Sequence, residues 1–232
     1  MAYGVEVINT SGSYQISDSL TNYVEIKSFT TNLTGSTDTD GDGAYEKVVS
    51  VADYFREIDD IIAINCTAAI CAFANTSPAG VRLISFNSST ATVKVKIFRR
   101  MDRLTSSSSP ALSVNSGYGL EIFDASGVRR YASNYKPLRI AATLSGNAPT
   151  ETSLDLGSSP GYTPYISSNT ACVETYANTD AEDDPDYFGF QAVSVSSSNV
   201  CSLSLQNIES SVWSDPNRSY PNTPITALII KG

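Results

Sequence analysis

Residues 3–12 read Tyr-Gly-Val-Glu-Val-Ile-Asn-Thr-Ser-Gly, and residues 118–127 read Tyr-Gly-Leu-Glu-Ile-Phe-Asp-Ala-Ser-Gly. Five of the ten positions are identical, the rest are conservative or small exchanges, and the offset of 115 is close to half of the 232 residues. Each copy reads as a β-hairpin. Val5 and Val7 alternate with Glu6 and Ile8, and Leu120 and Ile122 with Glu121 and Phe123, the period of two expected of a strand. Asn9 and Asp124 are placed to bond their own backbone as a turn opens. Gly12 and Gly127, three residues later, have the conformational freedom to end it. A second apolar stretch follows in both copies, Tyr23-Val-Glu-Ile26 and Leu138-Arg-Ile140. Self-similarity at this spacing predicts a tandem duplication.

Between the copies runs Leu104-Thr-Ser-Ser-Ser-Ser-Pro-Ala-Leu-Ser-Val-Asn-Ser116. A serine run broken by proline has little to offer a core and predicts a boundary. The expected division is a β-sandwich domain over 1–104, a Ser-rich linker over 105–116, and a second, related β-sandwich domain over 117–232. Within the first, Ala91-Thr-Val-Lys-Val-Lys-Ile-Phe98 is the clearest strand, with Val93, Val95 and Ile97 facing one way and Lys94 and Lys96 the other. Gly80 to Phe86 reads as its hairpin partner. Within the second, Phe188 to Val195 and Val200 to Leu205 read as strands around a Ser-rich turn, and Ile225 to Ile230 as a buried final strand. The helical candidate is Glu46 to Ile62, where Val48, Val51, Ala52, Phe55, Ile58 and Ile62 fit one face, although its first part also fits a strand. The expected fold class is mostly β: two tandem β-sandwich-like domains from an internal duplication, with at most one or two short helices.

Composition narrows the function. The net charge of −9 disfavours nucleic acid and anionic membrane surfaces, because phosphate recognition needs concentrated positive charge. No apolar run approaches membrane-span length, and Met-Ala-Tyr-Gly-Val-Glu-Val does not read as a secretory signal, so synthesis in a cytoplasm is expected. In that setting Cys66, Cys71, Cys172 and Cys201 are expected as buried thiols, with a Cys172–Cys201 bridge the main alternative.

The chain contains no histidine, which removes Ser–His–Asp and Cys–His catalysis and histidine-containing zinc sites. The carboxylates left for hydrolytic chemistry are Asp59 with Asp60, and the cluster Asp180, Glu182, Asp183, Asp184 and Asp186. Crowded acids in a Pro-containing segment more often form a solvated loop, and no catalytic residue is assigned. Asp38, Asp40 and Asp42 alternate before Gly43, as in the first half of an EF-hand loop. The twelfth position is Val49 in place of the bidentate Glu, and Glu46 falls at the ninth. The three aspartates are therefore a candidate calcium site beside the plainer reading of an acidic turn, and no other cofactor is expected. Lys94, Lys96, Arg99 and Arg100, with Arg103, form a basic run that is a candidate subunit contact for the acidic segment 180–186 of a neighbouring copy. Lysines on an outer strand face also discourage edge-to-edge aggregation.

At the repeated Tyr-Gly-hydrophobic strand and its Asn/Asp…Gly turn, the chain resembles tail proteins of tailed bacteriophages. The close match covers about 20 residues in each half. The resemblance implies a structural virion protein of the tail (tail tip, baseplate or fibre attachment), made in the host cytoplasm and assembling with itself and other tail proteins. It carries no catalytic residues to transfer. Two alternatives stay open. One is a host receptor- or glycan-binding tail protein, with Tyr162, Tyr165, Tyr176, Tyr187 and Trp213 as candidate stacking aromatics. The other is a capsid decoration protein.

Overall fold

The computed structural model describes residues 4–9, 12–17, 22–34, 45–51, 59–76, 78–85, 90–104, 120–133, 135–148, 151–169, 174–177, 187–207 and 223–232. The first half contributes β1 (Gly4–Asn9), β2 (Gly12–Ser17), β3 (Tyr23–Asn32), β4 (Tyr45–Ser50), β5 (Ile61–Asn65), β6 (Ile70–Thr76), β7 (Ala79–Ser85) and β8 (Thr92–Arg100). A single 3-10 turn, Met101–Arg103, is the helical structure among the described residues. The second half contributes β9 (Glu121–Phe123), β10 (Arg129–Ala132), β11 (Ile140–Ala148), β12 (Thr152–Asp155), β13 (Pro164–Ser167), β14 (Glu174–Ala177), β15 (Tyr187–Val195), β16 (Val200–Asn207) and β17 (Thr223–Lys231).

Both repeat copies fold as antiparallel hairpins, β1–β2 and β9–β10, each a two-stranded sheet separate from the rest. In the second hairpin the turn forms as its residues dictate. The Asp124 carboxylate accepts from the Ser126 and Val128 N–H groups at 2.8 and 2.9 Å, and Gly127 takes the left-handed φ of 77°.

The remaining strands make two large antiparallel sheets, and their orders show how far the duplication extends. The first sheet runs β11-β17-β13-β5-β8-β3 and the second β12-β16-β15-β6-β7-β4, with β14 also pairing with β15. Read outward from the centre, each sheet gives the same sequence of strands on both sides: β5-β8-β3 against β13-β17-β11, and β6-β7-β4 against β15-β16-β12. The halves meet where equivalent strands pair antiparallel, at Ala63–Ser167 and Ile64–Ile166 in one sheet and Ile70–Val193 in the other. Antiparallel pairing of equivalent elements is the arrangement of an isologous contact, here about an approximate two-fold axis inside one chain.

The two halves are therefore related sandwich-like units joined edge to edge. The main core crosses the join. Ile62, Ile64, Val95, Ile97, Ile166 and Ile229 from one sheet share a cluster with Ile70, Leu83, Val193 and Leu203 from the other. Such continuity was not expected from a Ser-rich boundary, since sequence similarity shows where units repeat and not how they dock. Residues 105–116 lie outside those described.

A second cluster lies on the opposite face of the first sheet: Ile61, Ala63, Phe98, Tyr165 and Ile230, with Tyr23, Leu138 and Leu228 against them. It is bounded by a closure of that sheet. Val24 bridges to Pro137, the Leu138 N–H donates to the Tyr23 carbonyl and the Glu25 N–H to the Lys136 carbonyl, both at 2.8 Å. This leaves the opening of β3 without a free edge.

Two local expectations change. The helix over Glu46 to Ile62 is replaced by β4 and β5, with residues 52–58 outside those described. Val48 and Val49 sit opposite Arg82 and Val81 of β7, where β-branched residues pack well on a pleated surface. β7 is not the hairpin partner of β8: it pairs with β4 and β6 in one sheet, while β8 pairs with β3 and β5 in the other. Lying in different sheets, the two strands still turn Val81 and Leu83 from one and Val93, Val95 and Ile97 from the other to the same core. As expected, Cys66, Cys71 and Cys201 are buried and outside any disulfide, so Cys201 forms no bridge to Cys172, which lies outside the described residues.

Candidate functional site

The charged residues gather at one end of the first half, where β5 begins, β8 ends and the β9–β10 hairpin docks. Inward of this end, Arg99 and Asp60 form a bidentate pair. Nε donates to Oδ1 at 2.9 Å and Nη2 to Oδ2 at 2.8 Å, with both side chains no more than 2% exposed. Alternation explains the placement: Val93, Val95 and Ile97 face the core, and Arg99 is next on that face. A guanidinium there is tolerated because a planar carboxylate meets its fork.

Outward of that pair runs a chain of ion pairs. Arg100 contacts Asp59 at 3.2 Å and Asp102 at 2.8 Å. Asp102 also receives Arg130 at 3.3 Å, and Arg130 reaches Asp124 at 2.7 Å. The Asn22 side-chain amide donates to the Arg130 carbonyl at 3.2 Å. Hairpin β9–β10 is thereby pinned to the turn after β8, with Met101 and Ala132 buried in the common core. These carboxylates are engaged by arginines, which suits a structural fastening better than proton transfer.

The Asp124 carboxyl pKa is held below its ordinary value. The Val128 N–H bonding to its carboxylate is the largest cause, with the Arg130 guanidinium and Ser126 N–H adding to it. A depressed folded-state pKa contributes stability that is present above the ordinary Asp value and is lost as pH falls through the lowered one. The Ser126 and Val128 amides should therefore lose protection only below about pH 4, the ordinary Asp range. In Asp124→Ala that acid step should vanish. Amide exchange by NMR, corrected for intrinsic pH dependence, reads this directly.

The sequence-predicted residues fare unequally. Lys94 is exposed on the outer face of β8. Lys96 bonds to Glu25 at 2.6 Å and lies 5.2 Å from the centre of the Tyr165 ring. Arg99 is buried against Asp60, so it cannot meet a neighbouring subunit, and Arg100 is held by Asp59 and Asp102. Of the expected basic contact surface, Arg99 is withdrawn into the fold and Lys96 is mostly covered, while Lys94 and Arg103 stay exposed and Arg100 partly so.

Asp38, Asp40 and Asp42 lie outside the described residues, as do 180–186. The nearby Glu46 bonds to Arg82 across the β4–β7 pair. Among the described residues no group of three or more Cys, Asp and Glu side chains is arranged to hold a metal ion. Of the candidate aromatics, Tyr165 is only 7% exposed and Tyr162 lies under Lys231, 5.3 Å from its ring centre. Burial raises the Tyr165 phenol pKa, and Glu25 adds to it. Burial also lifts the Cys201 thiol to about 11, which leaves it protonated and inert at neutral pH.

Asp102 and Arg130 were not singled out from sequence. They are 28 positions apart, and no local pattern announces that a hairpin will fold back onto the turn after β8.

A scan against protein-family models returned no match, and neither did searches of curated proteins and of solved structures. No helix among the described residues is long and apolar enough to cross a membrane.

Proposed function

We propose that this chain is a structural virion protein of a bacteriophage tail, at the tail tip, baseplate or a fibre attachment, assembling with itself and with other tail proteins. The observation that carries this reading is the pairing of motif and architecture. The Tyr-Gly hairpin that resembles tail proteins occurs once per half, and both copies form hairpins separate from the two large sheets. Antiparallel sheets over a continuous core give stiff faces and edges, the physical requirement for a component that bears load and presents contacts. An arginine-filled set of carboxylates fits the same role.

The glycan-binding alternative is weakened at Tyr165, whose burial removes it as a stacking platform. Labelling the protein on intact particles and imaging them by electron microscopy tests the proposal. Label at the distal tail is the expected result. Label on the capsid would replace the tail reading with decoration, and no particle association would overturn the virion reading altogether.

A further inference from the structure

Gln191 lies in β15 on the face that Val193 and Val195 turn to the main core, and none of it is exposed. Among the described residues, neither the Oε1 nor the Nε2 of its amide has a hydrogen-bond partner. Buried amides are ordinarily paired, because burial without a partner forfeits the bonds that water gave.

The amide sits at the seam where the two halves join in the second sheet. Among the described residues β6 and β15 share one pair there, Ile70–Val193. Continued by two residues, that register sets Ala72 opposite Gln191. The ladder opens instead. The Ala72 N–H donates to the Ser168 hydroxyl at 2.7 Å, and the Gln191 carbonyl accepts from the Cys71 thiol at 3.7 Å. Small residues border the amide. Ala72 stands across the seam, and position 189, next on the same face of β15, is glycine. Neither can bond the amide, and neither is large enough to crowd it.

The chemistry of this place suits water and not an ion. A primary amide is uncharged and offers donors and an acceptor together, which matches a molecule that both donates and accepts. The buried polar groups at the join, Ser167, Ser168 and the Cys71 thiol, are neutral too, so an ion would stand uncompensated. Globular chains ordinarily enclose about one buried water per 27 residues, each tied to polar groups that would otherwise lack partners. We infer that the seam between β6 and β15 holds buried water, at least one molecule of which is bonded to the Gln191 amide.

A crystal structure of the full chain tests this first. The expected result is a solvent density peak about 2.7–3.2 Å from Oε1 or Nε2 of Gln191. An amide paired only to protein groups, or packed round by protein with no such peak, would overturn the site. Oxygen-17 relaxation dispersion then reports long-lived internal water in solution. The wild-type chain should show the dispersion. Gln191→Leu, close in volume and without side-chain polar atoms, should lose the amplitude of at least one water, with circular dichroism confirming its fold. Equal amplitude in the two proteins, or no dispersion in the wild type, would overturn the inference. Should Gln191→Leu not fold, the wild-type density decides alone.

Discussion

Arg99→Ala is expected to lower the free energy of unfolding by roughly 3–5 kcal/mol, since breaking a buried ion pair leaves the other charge uncompensated. Asp60 would be that charge, only 4% exposed and aimed at the vacated space. For a chain of this size, about 2–4 °C of melting temperature accompanies each kcal/mol. The midpoint should then fall by about 6–20 °C. Asp60→Ala should behave alike. The double variant Arg99→Met/Asp60→Leu should recover most of the loss, because apolar side chains of similar volume often replace a buried pair at little cost. Chemical denaturation of the four proteins measures each loss and the recovery. A single-variant loss under about 1 kcal/mol, the range of an exposed pair, would show that Arg99 reaches solvent.

Ile166→Ala is expected to cost about 2–5 kcal/mol, through lost burial and the cavity left behind. Ile166 is inaccessible and sits in β13 opposite both Ile64 of the first half and Ile229 of the second. Its removal opens the core at the join, so both halves should lose stability in one cooperative transition. Val48→Ala supplies the contrast. Val48 is 41% exposed on the edge strand β4, and its truncation should stay within about 0.5 kcal/mol. If Ile166→Ala split the melt into two steps, the halves would be unfolding as independent bodies.

The repeat was legible because hairpins are written locally. Alternation fixes the strands, and in the second copy Asp124 followed by Gly127 fixes the turn. The strand Thr92–Arg100 was legible for the same reason, with its valines inward and Lys94 and Lys96 outward. The Ser-rich turn between β15 and β16 also formed where expected, with Asn199 taking a positive φ of 64°.

What was not legible depends on partners far away in the chain. Val48 and Ile62 fit a helical face as readily as two strands, and the choice is made by β7 and β8 pairing beside them. Arg99 and Arg100 read alike in sequence. One turns into the core to meet Asp60 and the other outward to Asp59 and Asp102, a difference set by strand alternation over a core edge that the sequence does not mark. Gln191 was visible as part of a strand, but its burial is a property of what the rest of the chain brings around it.

That both halves build one continuous structure is tested most directly by expressing residues 1–104 and 117–232 separately and following each by circular dichroism on heating. Separation would strip β5 and β13 of each other and expose Ile64 and Ile166 at new sheet edges. Neither fragment should melt cooperatively alone, and mixing them during refolding should restore a single transition close to that of the whole chain. A cooperative melt by either fragment on its own, at a midpoint near that of the intact protein, would contradict the shared core.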